Sequence, residues 1–154
     1  QEILTPGAAL YASGARLVFL ATTWRDLAHV PPLDATAEQA EAHLAAEVAD
    51  WTGLWDRLHA GLQCQILQNN FERPPWRTLG NHEARHPAGL GRYILRVNEA
   101  LAAAAPPQVI LHDIDHLSAV AGRWRWAAGS WWRVPPVTSA SAPRSMVRSP
   151  AGMR

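Results

Sequence analysis

Residues 80–93 read GNHEARHPAGLGRY, and within them His82, Glu83 and His86 stand at the spacing H-E-x-x-H. On a helix, histidines four apart share one face, so both imidazoles can reach one Zn²⁺ while the glutamate activates the metal-bound water. That is the chemistry of a zinc metalloprotease, and Gly89 falls where the longer pattern H-E-x-x-H-x-x-G-x-x-H has its glycine. Three features oppose it. Pro87 disfavours the α conformation at His86. The third histidine of the longer pattern would be residue 92, which is Arg92. Glu99, the only acid that could serve as a ligand from the following helix, comes just 13 residues after His86. A catalytic zinc needs three protein ligands and two are in view, so zinc stays a remote alternative and no metal or cofactor is expected.

A second constellation is HDIDHL, residues 112–117. Asp113-x-Asp115 after an apolar strand is similar to the first motif of haloacid-dehalogenase (HAD) phosphatases, D-x-D-x-(T/V), whose first Asp attacks phosphorus. Here the fifth residue is Leu117, no acid follows Asp115, and the chain contains no lysine to complete such a site. The same segment holds Asp113-x-x-His116, the spacing at which an Asp orients a His as base for a serine nucleophile. Spacing alone does not distinguish that from an Asp ending a strand and a His on the next turn.

The elements that would carry these residues follow from periodicity. The apolar run at 16–21 reads as a buried strand. Ala37, Ala40, Leu44, Val48, Trp51, Trp55 and Leu58 recur at spacings of three and four, which predicts a helix over about 36–60. Thr36 and Gln39 are placed as its capping box and Gly61 as its C-terminal glycine. Residues 62–68 read as a second strand, 69–88 as a long loop, and Leu90, Tyr93, Ile94, Val97 and Leu101 as one face of a second helix ended by Pro106-Pro107. Residues 108–112 form a third strand, and 118–121 belong to a short helix. Strand, helix, strand, helix, strand implies an α/β fold with a mostly parallel sheet covered on both faces. Ligands bind such sheets beyond the carboxyl ends of the strands. Thr22, Thr23, Asn69, Asn70, His112 and Asp113 stand there. After Gly122 no core face can be drawn through RWRWAAGSWWRV.

With 154 residues, 48% of them hydrophobic and 18% charged, the chain is sized for one soluble globular domain. No window approaches a membrane span, no signal peptide is visible, and a single cysteine, Cys64, fits a reducing cytoplasm. Residues 1–117 carry 13 acids and 8 arginines, a net of −5, whereas 118–154 carry 6 arginines and no acid. Tryptophan and arginine together can stack on bases, but such a run more often covers a neighbouring element, and a nucleic-acid partner is not expected. The domain is expected to span 1–137, with a disordered Pro/Ser/Arg-rich tail at 138–154.

The run from Gln65 to Ala119 resembles the N-terminal domain of FkbH-like proteins, the class IIIC HAD phosphatase-like proteins of polyketide and related biosynthesis. The similarity is to Q-N-(N/T)-F-(D/E)-x-P-P-x-R-x-L-G-N-x-E-A-R-x-P, then a helix with R-x-x-x-x-(L/V)-N, A-P-P, and an apolar strand ending D-x-D. It extends more weakly over about 1–134. In that family the positions of His82 and His86 are commonly apolar, which makes the zinc-like spacing incidental. The resemblance implies an SGNH-hydrolase-like, flavodoxin-like three-layer α/β/α domain lacking its first strand. Such a domain normally precedes a HAD domain in the same polypeptide, which loads glyceryl units onto an acyl carrier protein. The sequence departs from active SGNH enzymes: Thr22-Thr23-Trp24-Arg25-Asp26 stands where Gly-x-Asn-Asp should be, and 127–137 offers neither Asp nor His. Ser13 and Ser118 have no evident catalytic partners. The expected role is a binding or docking module, with Asn69, Asn70, Arg77, Asn81 and Asp113 as candidate ligand residues and Thr23 and His116 as weaker ones. Amides and an arginine suit a carboxylate, phosphate or phosphopantetheine group. The alternative is an SGNH-type esterase or acyltransferase whose serine lies upstream.

Overall fold

In a computed structural model, residues 9–128 are described. Three parallel strands, β1 (Leu17–Leu20), β2 (Gln65–Asn69) and β3 (Val109–His112), form a sheet in the order β1-β2-β3. Leu17 is paired with Gln65, and Ile66 with Val109. The helices are α1 (Ala9–Ala12), α2 (Ala37–Leu62), α3 (Leu90–Ala104), α4 (Ile114–Ala121) and α5 (Arg123–Ala127). The mixed α/β class expected from periodicity is therefore present. No helix among the described residues is long and apolar enough to cross a membrane.

Right-handed crossovers that always add the next strand on the same side put their helices on one face, and α2 and α3 pack against each other. Val18, Leu20, Ile66 and Val109 point into the core with Trp55, Leu58, Phe71, Ile94, Val97 and Leu101. On the opposite pleat, Leu17, Phe19 and Ile110 are more than half exposed. Helical cover on both faces is thus seen on one face only among the described residues. Residues 129–137, the end of the expected domain, and the tail at 138–154 lie outside them.

Helix α2 starts as its sequence predicts: Gln39 N donates to Thr36 Oγ1 (3.2 Å), and Thr36 N donates to Gln39 Oε1 (2.8 Å). Its end differs. Gln63, at φ 50°, is the left-handed cap and donates to the His59 carbonyl, while Gly61 lies inside the last turn. A Cβ on Gly61 would come within 2.5 Å of the Tyr11 ring, so this glycine admits α1 rather than ending the helix. Glu47, buried on the apolar stripe of α2, accepts from His29 N (2.7 Å) and Trp51 Nε1 (2.8 Å), which ties down the 27–35 connection. Periodicity alone does not flag it, because a buried carboxylate breaks the apolar pattern while using the same face.

Candidate functional site: an arginine-lined cleft

The long loop between β2 and α3 is held at four points. Asn98 of α3 accepts from Phe71 N (2.9 Å) and donates to Phe71 O (2.8 Å), so a side-chain amide imitates a strand partner. Arg73 is tied to Asp115 through its backbone N (2.8 Å) and its guanidinium (Nη2, 2.9 Å). Arg123 of α5 reaches the same carboxylate (2.6 Å) and also donates to the Arg73 carbonyl (3.1 Å) and to Ser118 Oγ (3.0 Å). Finally, Glu83 accepts from Leu79 N (3.1 Å) and Gly91 N (2.9 Å). Gly91 is in the first turn of α3, so Glu83 supplies the capping carboxylate that Gly89, the N-cap, cannot.

The zinc pattern is thereby accounted for. Glu83 is committed to two backbone amides, His86 Nδ1 accepts from Ala88 N (3.2 Å), and His82 closes a short 3₁₀ turn at Gly80–His82. Among the described residues no group of three His, Cys, Asp or Glu side chains is placed to hold a metal ion.

The strand-end residues are brought together and spent on one another. Thr22 Oγ1 donates to Asn69 O (2.7 Å), and Asn69 Oδ1 bonds the His112 ring (3.0 Å). Asn70 bridges β2 to α4, donating to Asp113 Oδ1 (2.8 Å) and accepting from Asp115 N (3.0 Å). Asp113 is the N-cap of α4, and its carboxylate accepts from the His116 backbone N (3.0 Å). The spacing Asp113-x-x-His116 is therefore that of a cap: the carboxylate bonds the amide, not the imidazole. Ser118 Oγ donates to Asp115 O (2.7 Å) and accepts from Arg123, with no imidazole among its partners. Thr23 caps the 3₁₀ turn at Trp24–Asp26 in a capping box with Asp26. Asn81 is exposed in the 3₁₀ turn of the loop.

What remains open is a cleft of about 480 Å³ beside these residues, walled by the loop, α3 and Arg123. Arg73, Arg77, Arg92, Arg96 and Arg123 line it, against Glu83 and Glu99. Three of the five are paired, Arg73 and Arg123 with Asp115 and Arg96 with Glu41. The Arg92 guanidinium donates to the Arg85 carbonyl (2.9 Å), and the Arg77 side chain makes no hydrogen bond or ion pair among the described residues, although its carbonyl accepts from Gly80 N (3.4 Å). A smaller lobe of about 170 Å³ continues past Arg73, Pro74, Pro75 and Arg123 toward Thr23, Trp24 and Glu72. Comparison with family models, curated proteins and solved structures returned no match.

Two carboxyls near the cleft are displaced in opposite directions. Burial would raise Asp115, but hydrogen bonds from Arg123 and Arg73 hold it below the ordinary carboxylate value. Burial raises Glu72, opposed only in part by its own backbone amide and that of Trp24, which donates to it (3.2 Å). Of the sequence candidates, Arg77 lines the larger lobe and Thr23 the smaller one. Arg92 and Arg96 were hidden as the polar side of an amphipathic helix, and Arg123 lay in a stretch with no readable pattern.

Proposed function

We propose that this chain is a non-catalytic binding module whose arginine cleft takes an anionic group: a phosphate, a phosphopantetheine arm or a carboxylate. The observation that carries this is the pair Arg77 and Arg92, which line a concave site without a direct ion pair to a carboxylate, although the charge of Arg92 is felt by Glu41. Unpaired guanidiniums beside apolar walls are suited to forked recognition of oxyanions. The FkbH-like resemblance of the run from Gln65 to Ala119 supports an acyl carrier protein as the bearer of that group, in an SGNH-like α/β/α domain alongside a HAD domain. Nothing in the placement of Ser118, His116 and Asp113 favours esterase chemistry, since Ser118 Oγ is bonded to Asp115 O and Arg123, and the Asp113 carboxylate to Asn70 and the His116 backbone amide rather than to the imidazole.

The test is calorimetric titration with pyrophosphate, phosphopantetheine and a phosphopantetheinylated acyl carrier protein. Arg77→Ala and Arg92→Ala should each weaken binding about tenfold, the size expected for one lost charge-assisted pair. Unchanged affinity in the double variant overturns the proposal. Asn70→Ala is a poorer probe, because it removes the bridge between β2 and α4 and costs about 1–2 kcal/mol of fold stability. A reading frame that continues into D-L-D-N-T-L-W would support the family context.

A further inference from the structure

The cleft has an aromatic wall as well as a cationic one. Trp76, beside Arg77 on the rim of the larger lobe, packs edge-on against Trp24 at 5.8 Å and tilted against Trp124 at 6.3 Å. Arg25 lies over the Trp24 ring at 4.8 Å, closing the far end of the row. Trp76 and Trp124 are both exposed, and Trp124 is among the most exposed large apolar side chains of the described chain. An exposed indole offers a flat π-face that a planar ligand can cover. Pro74 and Pro75, which line both lobes, hold the spacing between the tryptophan row and the arginines, since their φ angles are fixed.

We infer that the cleft takes a mononucleotide, its phosphate held by Arg77 and Arg92 and its base stacked on Trp76, the indole that lines the larger lobe. This rests on the anion-binding reading of the same cleft and adds the chemical class of the ligand. A bare oxyanion uses only the arginines. A nucleobase adds a flat π-face, which stacks on indole with little regard for base identity. The volume, about 480 Å³, falls within the range of small-molecule sites.

The experiment compares adenosine 5′-monophosphate, ribose 5-phosphate and inorganic phosphate by calorimetry on the full chain. The nucleotide should bind at least about tenfold tighter than ribose 5-phosphate, which has the same phosphate and sugar without the base. Trp76→Ala should erase that preference and leave ribose 5-phosphate binding unchanged, while Arg77→Ala should weaken both. Trp76→Phe, which keeps a π-face, should retain the preference, so its loss in Trp76→Ala reads stacking rather than folding. If the nucleotide binds no tighter than ribose 5-phosphate, or Trp76→Ala keeps the preference, the mononucleotide assignment is wrong while anion binding stands. If none of the three binds, the cleft reading itself fails and this inference with it.

Discussion

Replacing Asp115 by Asn tests the junction on which the cleft depends. The Asp115 side chain is 12% exposed and its arginine partners are 21% (Arg123) and 35% (Arg73) exposed. Removing one member of a buried ionic cluster costs about 3–5 kcal/mol. Solvent screening of Arg73 reduces this, and Asn retains an acceptor for the Arg73 backbone amide. We expect a loss of about 2–3 kcal/mol at pH 7, which with a urea slope of about 1.5 kcal/mol/M lowers the unfolding midpoint by about 1.5 M. The folded carboxyl is held below its unfolded value, so its contribution is complete above the unfolded value and is lost as pH falls through the folded one. The gap between wild type and Asp115→Asn should therefore be widest at neutral pH and should close below about pH 4. Urea titrations monitored by circular dichroism at several pH values read both quantities. A midpoint within about 0.2 M of wild type at pH 7, or a gap that widens on acidification, would refute the assignment of Asp115 as a charged clamp.

Three further outcomes follow from other parts of the fold. Glu72→Gln keeps an acceptor for Trp24 N while removing a buried charge whose folded value is raised, so it should match or exceed wild-type stability at pH 7 by up to about 1 kcal/mol. That advantage should shrink as pH falls and the wild-type carboxyl takes its proton. Gly89→Ala should destabilise by about 1–3 kcal/mol, because the added Cβ meets the Glu83 carbonyl at the start of α3; thermal melting checks it. Ile66→Ala, on the covered pleat, should cost about 2–5 kcal/mol, whereas Phe19→Ser, on the uncovered pleat, should cost under about 0.5 kcal/mol. Equal losses would show that the second pleat is also part of a core.

Helices α2 and α3 were legible because their apolar faces repeat at the helical period, and a reciprocal cap at Thr36 and Gln39 marks one start. The three strands were legible as short apolar runs between turn formers, and strand–helix alternation was enough for a parallel sheet. The one-sided core was not legible. The strands are apolar on both pleats, so their pattern looks the same whether one or two faces are covered, and only the order β1-β2-β3 puts both crossovers on one side. Gly61 misled for a related reason: a glycine near a helix end looks like a stop, and only the position of Tyr11 shows that it makes room.

At the site, the sequence determined which residue types gather at the strand ends, because Asn, Asp and Thr there suit caps and turns as readily as ligands. Whether those groups stay available was decided in three dimensions. Asn70 and Asp113 bond each other, Asn69 bonds Thr22 and His112, and Glu83 turns back to its own loop and helix. Arg73 and Arg123, fifty residues apart, meet on one carboxylate. Hydrogen-bond saturation depends on partners remote in the chain, so no local pattern could show that Arg77 and Arg92 would be left over, facing a cleft with tryptophan at its rim.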